Sequence, residues 1–314
     1  MRLAATSSLP SGPRRADVAA AYDLGVDTYL SLWSPVILPP ARSVVAALGL
    51  RGTPRVLDIG AGPGSLVSSI LDAAPAARVV ALDASIEMLH AARLHTSACA
   101  IHGDALALPI GDATVDACLA AFVLFHLGDP SSALAEAARV LRTGGRVGTT
   151  TWAREGAAKA SAVWDEAFAA AGVRPLPPRR VDTGLDSPEA IGALLTAGGL
   201  EPHRIWVERL THRWEPSSFW RLATGTGVNR ARLQLADEET RADLLATVRP
   251  RLDALDPQDF DWWGEVVCAV ASKPGGEAAP IGAAGAQRPG AEGAKSGDTA
   301  SFDLSAAQPP RRPT

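Results

Sequence analysis

Five short apolar runs alternate with helix-like stretches in the first half of the chain, and this alternation constrains the fold more than any other feature. The runs are residues 55–59, 78–82, 98–102, 115–122 and 146–152. Such βα alternation is typical of a parallel sheet with helices on both faces. Two later runs, 204–211 and 266–271, are joined by a long helical segment and would complete seven strands. The sequence therefore predicts an α/β fold with a seven-stranded, mostly parallel sheet.

Local signals mark where two of the helices begin and end. Asp129-Pro130 before Ser131 predicts a helix start, and Gly144-Gly145 predicts its stop. A later helix is predicted to start at Ser187-Pro188 and to stop at Gly198-Gly199.

The domain organisation follows from the change in composition near the end. From residue 273 onward the chain is rich in Gly, Ala, Pro, Gln and Ser. That composition cannot bury enough apolar surface to offset the entropy cost of ordering. We predict a flexible N-terminus (1–13), one domain (14–272) and a disordered tail (273–314). The domain divides into N-terminal helices (14–50), a ligand-binding core (54–152), and a substrate-side insertion with the final strands (153–272).

Composition restricts the classes of partner. The formal net charge is −4 and the pI is near 5.9, so we do not expect nucleic acid as a partner. The three cysteines lie in apolar runs without CxxC spacing, and we predict no metal site. We find neither a signal-peptide run nor a charge-free transmembrane run, which predicts a cytoplasmic protein with no membrane partner.

A glycine-rich turn follows the first apolar run. Residues 58–64 read Asp-Ile-Gly-Ala-Gly-Pro-Gly and precede a helix-like run at 65–73. Glycines let the backbone turn tightly and approach a ligand closely. A tight turn without a ligand is the alternative interpretation, because a glycine cluster alone is a weak signal.

Three acids stand at corresponding places in successive βα units. Asp58 ends the first run, Asp83 ends the second and Asp104 follows the third. The carboxyl ends of parallel strands are where open α/β sheets bind ligands. Any one of these acids could instead cap a helix. The set of three favours a ligand site.

The spacing of the turn and the second acid indicates a nucleoside-containing ligand. Asp83 lies 83 − 60 = 23 positions after Gly60, about the distance of a carboxylate that binds ribose hydroxyls. The dinucleotide pattern G-x-G-x-x-G/A is not matched, because Gly64 comes one position early and Ser65 takes the final place. A carboxylate at Asp58 would repel a pyrophosphate and suits an ammonium group. The pattern favours S-adenosylmethionine (SAM) over a nicotinamide dinucleotide.

The core carries motifs at residues 56–64, 83–89 and 103–109, and a fourth in two parts, 122–126 and 134–146. Together they resemble the class I SAM-dependent methyltransferases, especially the type 11 group related to ubiquinone and menaquinone biosynthesis methyltransferases. The motif-rich match covers residues 54–152. The resemblance implies a Rossmann-like fold, with N-terminal helices and a helical insertion covering the active site.

The resemblance also implies roles for individual residues. Gly60 and Gly62 would approach the methionine part of SAM, and Asp83 would hold the ribose hydroxyls. Met88 would pack near the adenine, whose amino group would donate to Asp104. The predicted cofactor-binding residues are Asp58, Gly60, Ala61, Gly62, Gly64, Asp83, Ala84, Met88, Asp104, Ala105, Ala121 and Phe122.

His126, just past the fourth predicted strand, is the candidate catalytic base. In methyl transfer from a sulfonium, positioning of the nucleophile supplies much of the rate, and a base helps when the acceptor is a hydroxyl or an acidic carbon. A histidine that caps or packs at a loop is the alternative. The Asn/Asp-Pro-Pro-Tyr motif of amino-group methyltransferases is absent there, since residues 124–127 read Leu-Phe-His-Leu. This favours oxygen or carbon methylation of a small molecule.

Aromatic residues outside the core suggest where the acceptor binds. Tyr22, Trp33 and Trp152 are the candidate substrate residues, and the stretch 19–33 resembles helices that close over SAM. For most of the tryptophans core packing is the favoured role. An aromatic wall predicts an apolar or aromatic acceptor. Two other hypotheses stay open: a catalytically silent SAM-binding subunit, and a nicotinamide oxidoreductase.

Overall fold

The computed structural model describes residues 15–175 and 184–275. The predicted flexible N-terminus (1–13) and residues 276–314 of the predicted tail lie outside the described residues. Within the described ranges one sheet contains β1 (Arg55–Ile59), β2 (Arg78–Asp83), β3 (Cys99–His102), β4 (Val115–Ala121), β5 (Leu141–Gly156), β6 (Glu201–Arg213) and β7 (Asp261–Ser272).

The strand order is β3-β2-β1-β4-β5-β7-β6. Neighbours from β3 to β5 pair in parallel, whereas β7 runs antiparallel to both β5 and β6. The predicted seven-stranded, mostly parallel sheet is confirmed. The chain runs outward from β1 to β3 and then returns to β4 on the other side of β1. This reversal opens a crevice at the carboxyl ends of β1 and β4, which is where such sheets bind ligands.

The helices precede the sheet, connect its strands and fill the segment between β6 and β7. They are α1 (Arg15–Asp23), α2 (Val26–Thr28), α3 (Ser34–Leu48), α4 (Val67–Ala73), α5 (Ile86–His95), α6 (Pro130–Val140), α7 (Lys159–Ala170), α8 (Pro188–Ala197), α9 (Pro216–Gly225), α10 (Gly227–Leu235) and α11 (Glu238–Asp253). A π-helical segment, Tyr29–Trp33, joins α2 to α3, and 3-10 turns occupy Leu124–His126 and Pro257–Phe260. In the described ranges, no helix combines the length and apolarity needed to cross a membrane.

Both predicted helix starts are confirmed by their caps. Asp129 precedes α6 and accepts from the Ser132 N–H at 3.0 Å. Ser187 precedes α8 and accepts from the Ala190 N–H at 3.2 Å. Each side chain satisfies an N–H that has no partner inside its helix. The predicted end of α8 is also confirmed, with Gly198 as its C-cap.

The predicted helix stop at Gly144-Gly145 is wrong. Helix α6 ends earlier, at Val140, because Leu141 adopts extended backbone and begins β5. Gly144 has a φ of 75° within β5, where the register against β4 shifts. The glycine pair therefore serves an irregularity in a strand, which is a second common use of glycine.

The sheet buries apolar side chains on both faces, as predicted. Alternate residues along β7 belong to two separate clusters of buried side chains, as expected from the two-residue period of a strand. The cluster that includes α3, α7 and α11 contains Val266, Cys268 and Val270. The cluster that includes α6 and α8 contains Val267, Ala269 and Ala271.

Lys273 is bound to the sheet, although the sequence assigns it to the tail. Its backbone N–H donates to the Gly145 carbonyl at 2.9 Å. Its Nζ donates to the Leu141 carbonyl at 2.9 Å. The contacts of the domain therefore extend at least one residue beyond the predicted boundary at 272.

Candidate active site

A pocket opens at the carboxyl ends of β1, β2 and β4, where the strand order reverses. Most of the predicted cofactor-binding residues line it: Gly60, Gly62, Asp83, Ala84, Met88, Asp104, Ala105, Ala121 and Phe122. We call this the inner pocket. Asp58 and Ala61 line a small adjoining recess instead. The recess and the inner pocket share Gly60, Ala121 and Phe122 in their walls.

The glycine turn after β1 shapes the floor of the inner pocket. Gly60 and Gly62 have φ values of 68° and 55°, in the left-handed region that favours glycine. The N–H groups of Gly60 and Ala61 both donate to the Leu82 carbonyl, at 2.8 and 3.0 Å, which ties the turn to β2. A Cβ atom on Gly62 would meet nothing within 4 Å, so this residue leaves space open on the pocket side.

Gly64 packs against the end of a neighbouring helix. It lines neither the inner pocket nor the recess. A Cβ atom there would lie 2.8 Å from Thr96 Cγ2 and 3.3 Å from Ala92 Cβ, at the end of α5. Gly64 therefore lets the turn pack closely against α5, and its predicted place among the cofactor-binding residues stays a prediction.

Asp83 is held rigidly at the end of β2. One carboxylate oxygen accepts from the Gly62 N–H at 2.7 Å, and the other accepts from the Ser85 N–H at 2.8 Å. Burial raises the pKa of Asp83, and this effect outweighs the lowering by these backbone donors. A carboxylate has about four lone-pair sites, so the two oxygens retain capacity to accept from a diol.

Asp58 is a buried carboxylate in the recess. The residue is 1% exposed, and its Oδ2 has no hydrogen-bond partner among the described residues. Burial raises the pKa of Asp58 to about 7, and the neighbouring Asp83 carboxylate adds to the effect. Two serine hydroxyls, Ser34 and Ser65, line the same recess and hydrogen-bond each other at 2.7 Å. A buried carboxylate of this kind is stabilised by a cation that also donates hydrogen bonds.

The far end of the inner pocket lies against β3 and α5. The Asp104 carboxylate accepts from the Leu106 N–H at 3.0 Å, which holds it at the pocket wall. Met88 is 2% exposed, and its backbone N–H donates to the Ser85 hydroxyl that caps α5. This end therefore offers an acidic group beside an apolar surface, as an adenine ring requires.

Phe122 forms the wall between the inner pocket and the side of the sheet beyond β4. Its φ of 55° is unusual for a residue with a side chain. Its N–H donates to the Thr150 carbonyl at 3.0 Å, which holds this conformation against β5. The Phe122 ring lies 4.9 Å from the Trp152 ring, centroid to centroid. Phe122 lines the inner pocket, the recess and a larger cavity described below.

His126 and Tyr22 lie in contact at one end of the inner pocket, where it joins a larger cavity. His126 lies on the 3-10 turn after β4, and its Nε2 is 3.0 Å from the Tyr22 hydroxyl of α1. The two rings pack edge to face with centroids 5.6 Å apart. Asp23, the next residue of α1, accepts from the Ser85 hydroxyl at 2.5 Å. Helix α1 therefore spans the inner pocket and is bound on both sides of it.

A larger cavity of about 650 Å³ lies beyond this junction. We call it the aromatic cavity, because its walls include Tyr22, Tyr29, Trp33, Phe122, Phe125, Trp152, Trp214, Phe219 and Trp262. Three elements of the insertion also contribute, α9, α10 and the segment that follows β5. The structure thus places all three predicted substrate residues, Tyr22, Trp33 and Trp152, around one space. It also confirms that N-terminal helices and a helical insertion cover the site.

Two wall residues, Trp214 and Trp262, were missed by the sequence interpretation. Trp33 stacks on Trp214 with centroids 6.2 Å apart and meets Trp262 edge to face at 5.4 Å. Trp214 directly follows β6, and Trp262 is the second residue of β7. Because β7 is antiparallel to β6, both positions fall at the carboxyl edge of the sheet. The available signal was therefore an aromatic residue at each strand end on that edge. Core packing, the role favoured for most tryptophans, does describe Trp164, which is fully buried against Phe168.

No cluster of His, Cys, Asp or Glu suited to a metal ion occurs in residues 15–175 or 184–275. The functional groups of the site are instead carboxylates, backbone amides and aromatic rings. With a glycine turn and acids at successive strand ends, the fold and the site define a nucleoside-binding α/β protein of Rossmann type.

Comparison with known proteins gives the family. A family profile described as a methyltransferase domain matches residues 57–148. Demethylmenaquinone methyltransferase from Streptomyces avermitilis is 32% identical over 212 residues, which cover 67% of this chain and 87% of that protein. The chain therefore belongs to the class I SAM-dependent methyltransferases, in the type 11 group, and the predicted family and its cofactor are confirmed.

Other similarities are shorter or concern the fold alone. Demethylmenaquinone methyltransferase from Mycobacterium sp. (strain KMS) is 41% identical over 130 residues, which cover 41% of this chain and 54% of that protein. The chain spans about half the length, or less, of most curated relatives that it matches. The crystal structure of the YcgJ protein from Bacillus subtilis is 23% identical with a TM-score of 0.50, covering 76% of this chain and 99% of that one. That likeness shows the same fold.

Proposed function

We propose that this protein transfers a methyl group from SAM to an oxygen or carbon atom of a small, apolar or aromatic acceptor. The observation that carries the proposal is a shared wall: Tyr22, Tyr29, Phe122 and His126 line both the inner pocket and the aromatic cavity. A methyl donor in the first space and an acceptor in the second would meet at these residues. Relatives named demethylmenaquinone methyltransferase are consistent with a ring-containing acceptor.

The inner pocket fits SAM group by group. Asp83 would accept from the ribose hydroxyls, and Asp104 would accept from the adenine amino group. Asp58 provides the direct test of fit, because its buried Oδ2 lacks a hydrogen-bond partner among the described residues. The ammonium of the methionine part supplies the charge and the donors that this carboxylate requires. When bound, SAM supplies an electrophilic methyl group on a sulfonium.

His126 and Tyr22 would together remove the acceptor proton. With His126 in the neutral tautomer that has no proton on Nε2, the Tyr22 hydroxyl donates to Nε2 across 3.0 Å. An acceptor hydroxyl would pass its proton to the Tyr22 oxygen as Tyr22 passes its own proton to Nε2. SAM held by the inner pocket would supply the methyl group to the acceptor oxygen, its carbon–sulfur bond breaking with the electron pair left on sulfur, and the imidazolium would later release the proton to water. General base catalysis of this kind typically contributes about 10²–10⁴ in rate.

The aromatic cavity would position the acceptor ring. Alignment of the two reactants lowers the activation barrier of methyl transfer substantially, because it removes their relative freedom before the reaction. Phe122 lines both spaces, and Trp152 packs against its ring in the wall of the aromatic cavity. Flat rings in a rigid wall restrict the acceptor to few orientations.

The experiment combines SAM binding with a search for turnover. The full chain is titrated with SAM by calorimetry and incubated with methyl-labelled SAM and a panel of phenols, quinols and acidic carbon compounds. We expect SAM to bind and at least one product to gain the label. Failure to bind millimolar SAM would overturn the proposal. Binding without any turnover, also with small-molecule extracts, would favour a silent SAM-binding subunit, and fluorescence quenching by NADH but not SAM would favour an oxidoreductase.

A further inference from the structure

The aromatic cavity is much larger than a single ring requires. Its volume is about 650 Å³. A dry cavity of about 150 Å³ lined by apolar side chains is enough to bind one benzene molecule. The aromatic cavity therefore has about four times the space that one ring fills. A one-ring acceptor would leave most of the wall without contact atoms.

Five aromatic side chains of the wall form a continuous surface. The Trp152 ring contacts Phe122 and Trp262, with centroids 4.9 and 5.9 Å away. The Trp33 ring contacts Trp262 at 5.4 Å and Trp214 at 6.2 Å. We call these five rings the aromatic surface. Phe122 also lines the inner pocket, whereas Trp214 does not. The aromatic surface therefore begins at the inner pocket and continues away from it.

The aromatic surface is held by the sheet. Trp152 belongs to β5, Trp262 belongs to β7, and both are buried residues. Trp214 directly follows β6, and its backbone N–H donates to the Phe260 carbonyl at 3.2 Å. Flat rings in fixed positions make their most extensive contact with a ligand that is itself flat and rigid. Such a ligand also loses less freedom on binding than a flexible one.

Helix α9 supplies another apolar part of the wall. Phe219, Leu222 and Ala223 of this helix line the cavity. A Cβ atom on Gly25 would lie 2.7 Å from the Oγ1 of Thr226, the residue that follows α9. The chain before α2 therefore packs directly on the end of α9. This close packing holds α9 at the cavity.

We propose that the acceptor of this enzyme is a rigid aromatic compound of three or more fused rings. The edge that carries the methylated atom lies beside Tyr22 and His126, and the other rings lie along the aromatic surface toward Trp214. Compounds with a single ring, and compounds in which a flexible alkyl chain replaces the further rings, are poor acceptors. This inference rests on the proposed function, because it takes the aromatic cavity as the acceptor site.

Four hydroxyl compounds test the inference. Phenol, 2-naphthol and 2-anthrol have one, two and three fused rings, and 4-octylphenol has as many carbon atoms as 2-anthrol but a single ring. Equilibrium dialysis against the full chain gives the dissociation constant of each compound. Burial of apolar area should raise the affinity by about threefold to tenfold for each added ring.

The comparison of 2-anthrol with 4-octylphenol separates shape from hydrophobicity. By apolar area alone, the alkyl chain would make 4-octylphenol bind at least as tightly as 2-anthrol. The chain loses rotational freedom when it is ordered, and it cannot stack on the rings of the wall. We therefore expect 2-anthrol to bind about fivefold more tightly than 4-octylphenol.

Two matched variants locate the further rings. Leu222→Trp adds bulk to the α9 wall and should weaken the binding of 2-anthrol about tenfold, while the affinity for phenol stays within about twofold. Leu245→Trp makes the same change at another partly buried leucine, in α11, which packs on the same apolar cluster and lines neither space. This control should leave all four affinities unchanged.

An affinity that does not rise from phenol to 2-anthrol would overturn the inference, and so would 4-octylphenol that binds as tightly as 2-anthrol. Both comparisons use the wild-type chain and do not depend on the folding of a variant. Full affinity for 2-anthrol in folded Leu222→Trp would overturn it as well. SAM is titrated into the same samples by calorimetry. Loss of SAM binding contradicts the proposed function, whereas SAM binding without the expected order of affinities contradicts this inference alone.

Discussion

The inner pocket and the aromatic cavity share four wall residues, yet they are built in different ways. The inner pocket takes its polar contacts from consecutive βα units, with carboxylates and backbone amides at strand ends. The aromatic cavity collects side chains from segments far apart in sequence: Trp33, Trp152, Trp214 and Trp262. Recognition of the shared cofactor is therefore tied to the backbone of the core. Under the proposed function, recognition of the acceptor would depend on side chains that can change without altering that core.

The two spaces also differ in size. The inner pocket has a volume of about 110 Å³, whereas the aromatic cavity has about 650 Å³. The first is narrow because α1 lies over it, with Tyr22 bound to His126 and Asp23 bound to Ser85. Because the two spaces have largely different walls, we expect that cofactor binding and acceptor binding can be disturbed separately. The following predictions test that separation, beginning with the largest expected effect.

Asp83→Ala should affect the inner pocket most strongly. Two charge-assisted hydrogen bonds to the ribose would be lost, worth roughly 1.5–3 kcal/mol each, so SAM affinity should fall at least about a hundredfold. The carboxylate also holds the Gly62 and Ser85 N–H groups, and the free energy of unfolding should fall by about 1–3 kcal/mol. Calorimetry and chemical denaturation measure the two effects.

Asp237→Ala is the matched control for this variant. Asp237 caps α11 by accepting from the Thr240 N–H at 2.7 Å, away from both spaces. The control should lose about 1 kcal/mol of stability and keep its SAM affinity. Wild-type SAM affinity in Asp83→Ala would remove Asp83 from the binding site.

His126→Ala tests the junction of the two spaces. Turnover should fall by about a hundredfold or more, while SAM affinity stays within about threefold of wild type, because the base acts on the acceptor proton. Tyr22→Phe removes the hydroxyl that contacts Nε2 and should lower turnover in the same direction. His90→Ala, on the exposed face of α5, should change neither quantity. A parallel loss of stability, SAM binding and turnover in His126→Ala would instead assign His126 a packing role.

The Asp58 carboxylate, in the recess that adjoins the inner pocket, should make SAM binding sensitive to pH. Burial raises the pKa of the Asp58 carboxyl group from the usual 3.8 to about 7. Between these values the folded state binds more protons than the unfolded state, so the free energy of unfolding falls as pH rises. In the proposed site, the SAM ammonium would pair with the ionised form of Asp58. SAM affinity should therefore rise with pH up to about 7, by at most about tenfold per pH unit.

Asp58→Asn provides the comparison for this pH dependence. The amide cannot ionise, so the variant should lose the slope of SAM affinity between pH 5 and pH 7, a window set by the acid's shifted pKa. Its affinity near pH 8 should also be lower than that of wild type, because the ion pair with the ammonium is absent. A slope retained in Asp58→Asn would assign the titration to another group. The affinity of the aromatic cavity for a ring-containing ligand such as phenethylamine should be unaffected by the substitution.

The sequence predicts the core of the fold well because local signals and packing agree there. β1 has the predicted bounds, Arg55–Ile59, since a short buried run lies between a charged residue and the glycine turn. β5 is longer than predicted, Leu141–Gly156 instead of residues 146–152. Its backbone pairing with β7 continues to Glu155 and Gly156, beyond the apolar segment. The pattern of apolar residues does not show where such backbone pairing ends, so it could not predict the full length of β5.

The candidate site also has a part that the sequence could predict and a part that it could not. The acids at strand ends could be placed from sequence because parallel strands bring their carboxyl ends to one edge. The packing of Trp214 and Trp262 against Trp33 could not be predicted, because it depends on the antiparallel register that sets His212 opposite Trp262. The contact of Asp23 with Ser85 likewise depends on how α1 docks, which no periodic pattern specifies.

Trp262→Phe should produce the smallest effect, confined to the aromatic cavity. Phenylalanine keeps a ring next to Trp33 and Trp152 but loses the N–H that donates to Glu155. Affinity for a ring-containing ligand such as phenethylamine should fall by about threefold to tenfold, which corresponds to roughly 0.5–1.5 kcal/mol. SAM affinity should stay at the wild-type value, since Trp262 does not line the inner pocket.

Trp263→Phe offers a control at the neighbouring position of the same strand. Trp263 stacks under Arg209, with the guanidinium carbon 4.4 Å from the ring centroid, and it lines neither space. This control should leave both affinities unchanged. If Trp262→Phe lowered the affinity for SAM as much as the affinity for phenethylamine, the two spaces would be energetically coupled through their shared wall. The separation of cofactor and acceptor recognition would then be wrong, because a side chain of one region would set the affinity of the other.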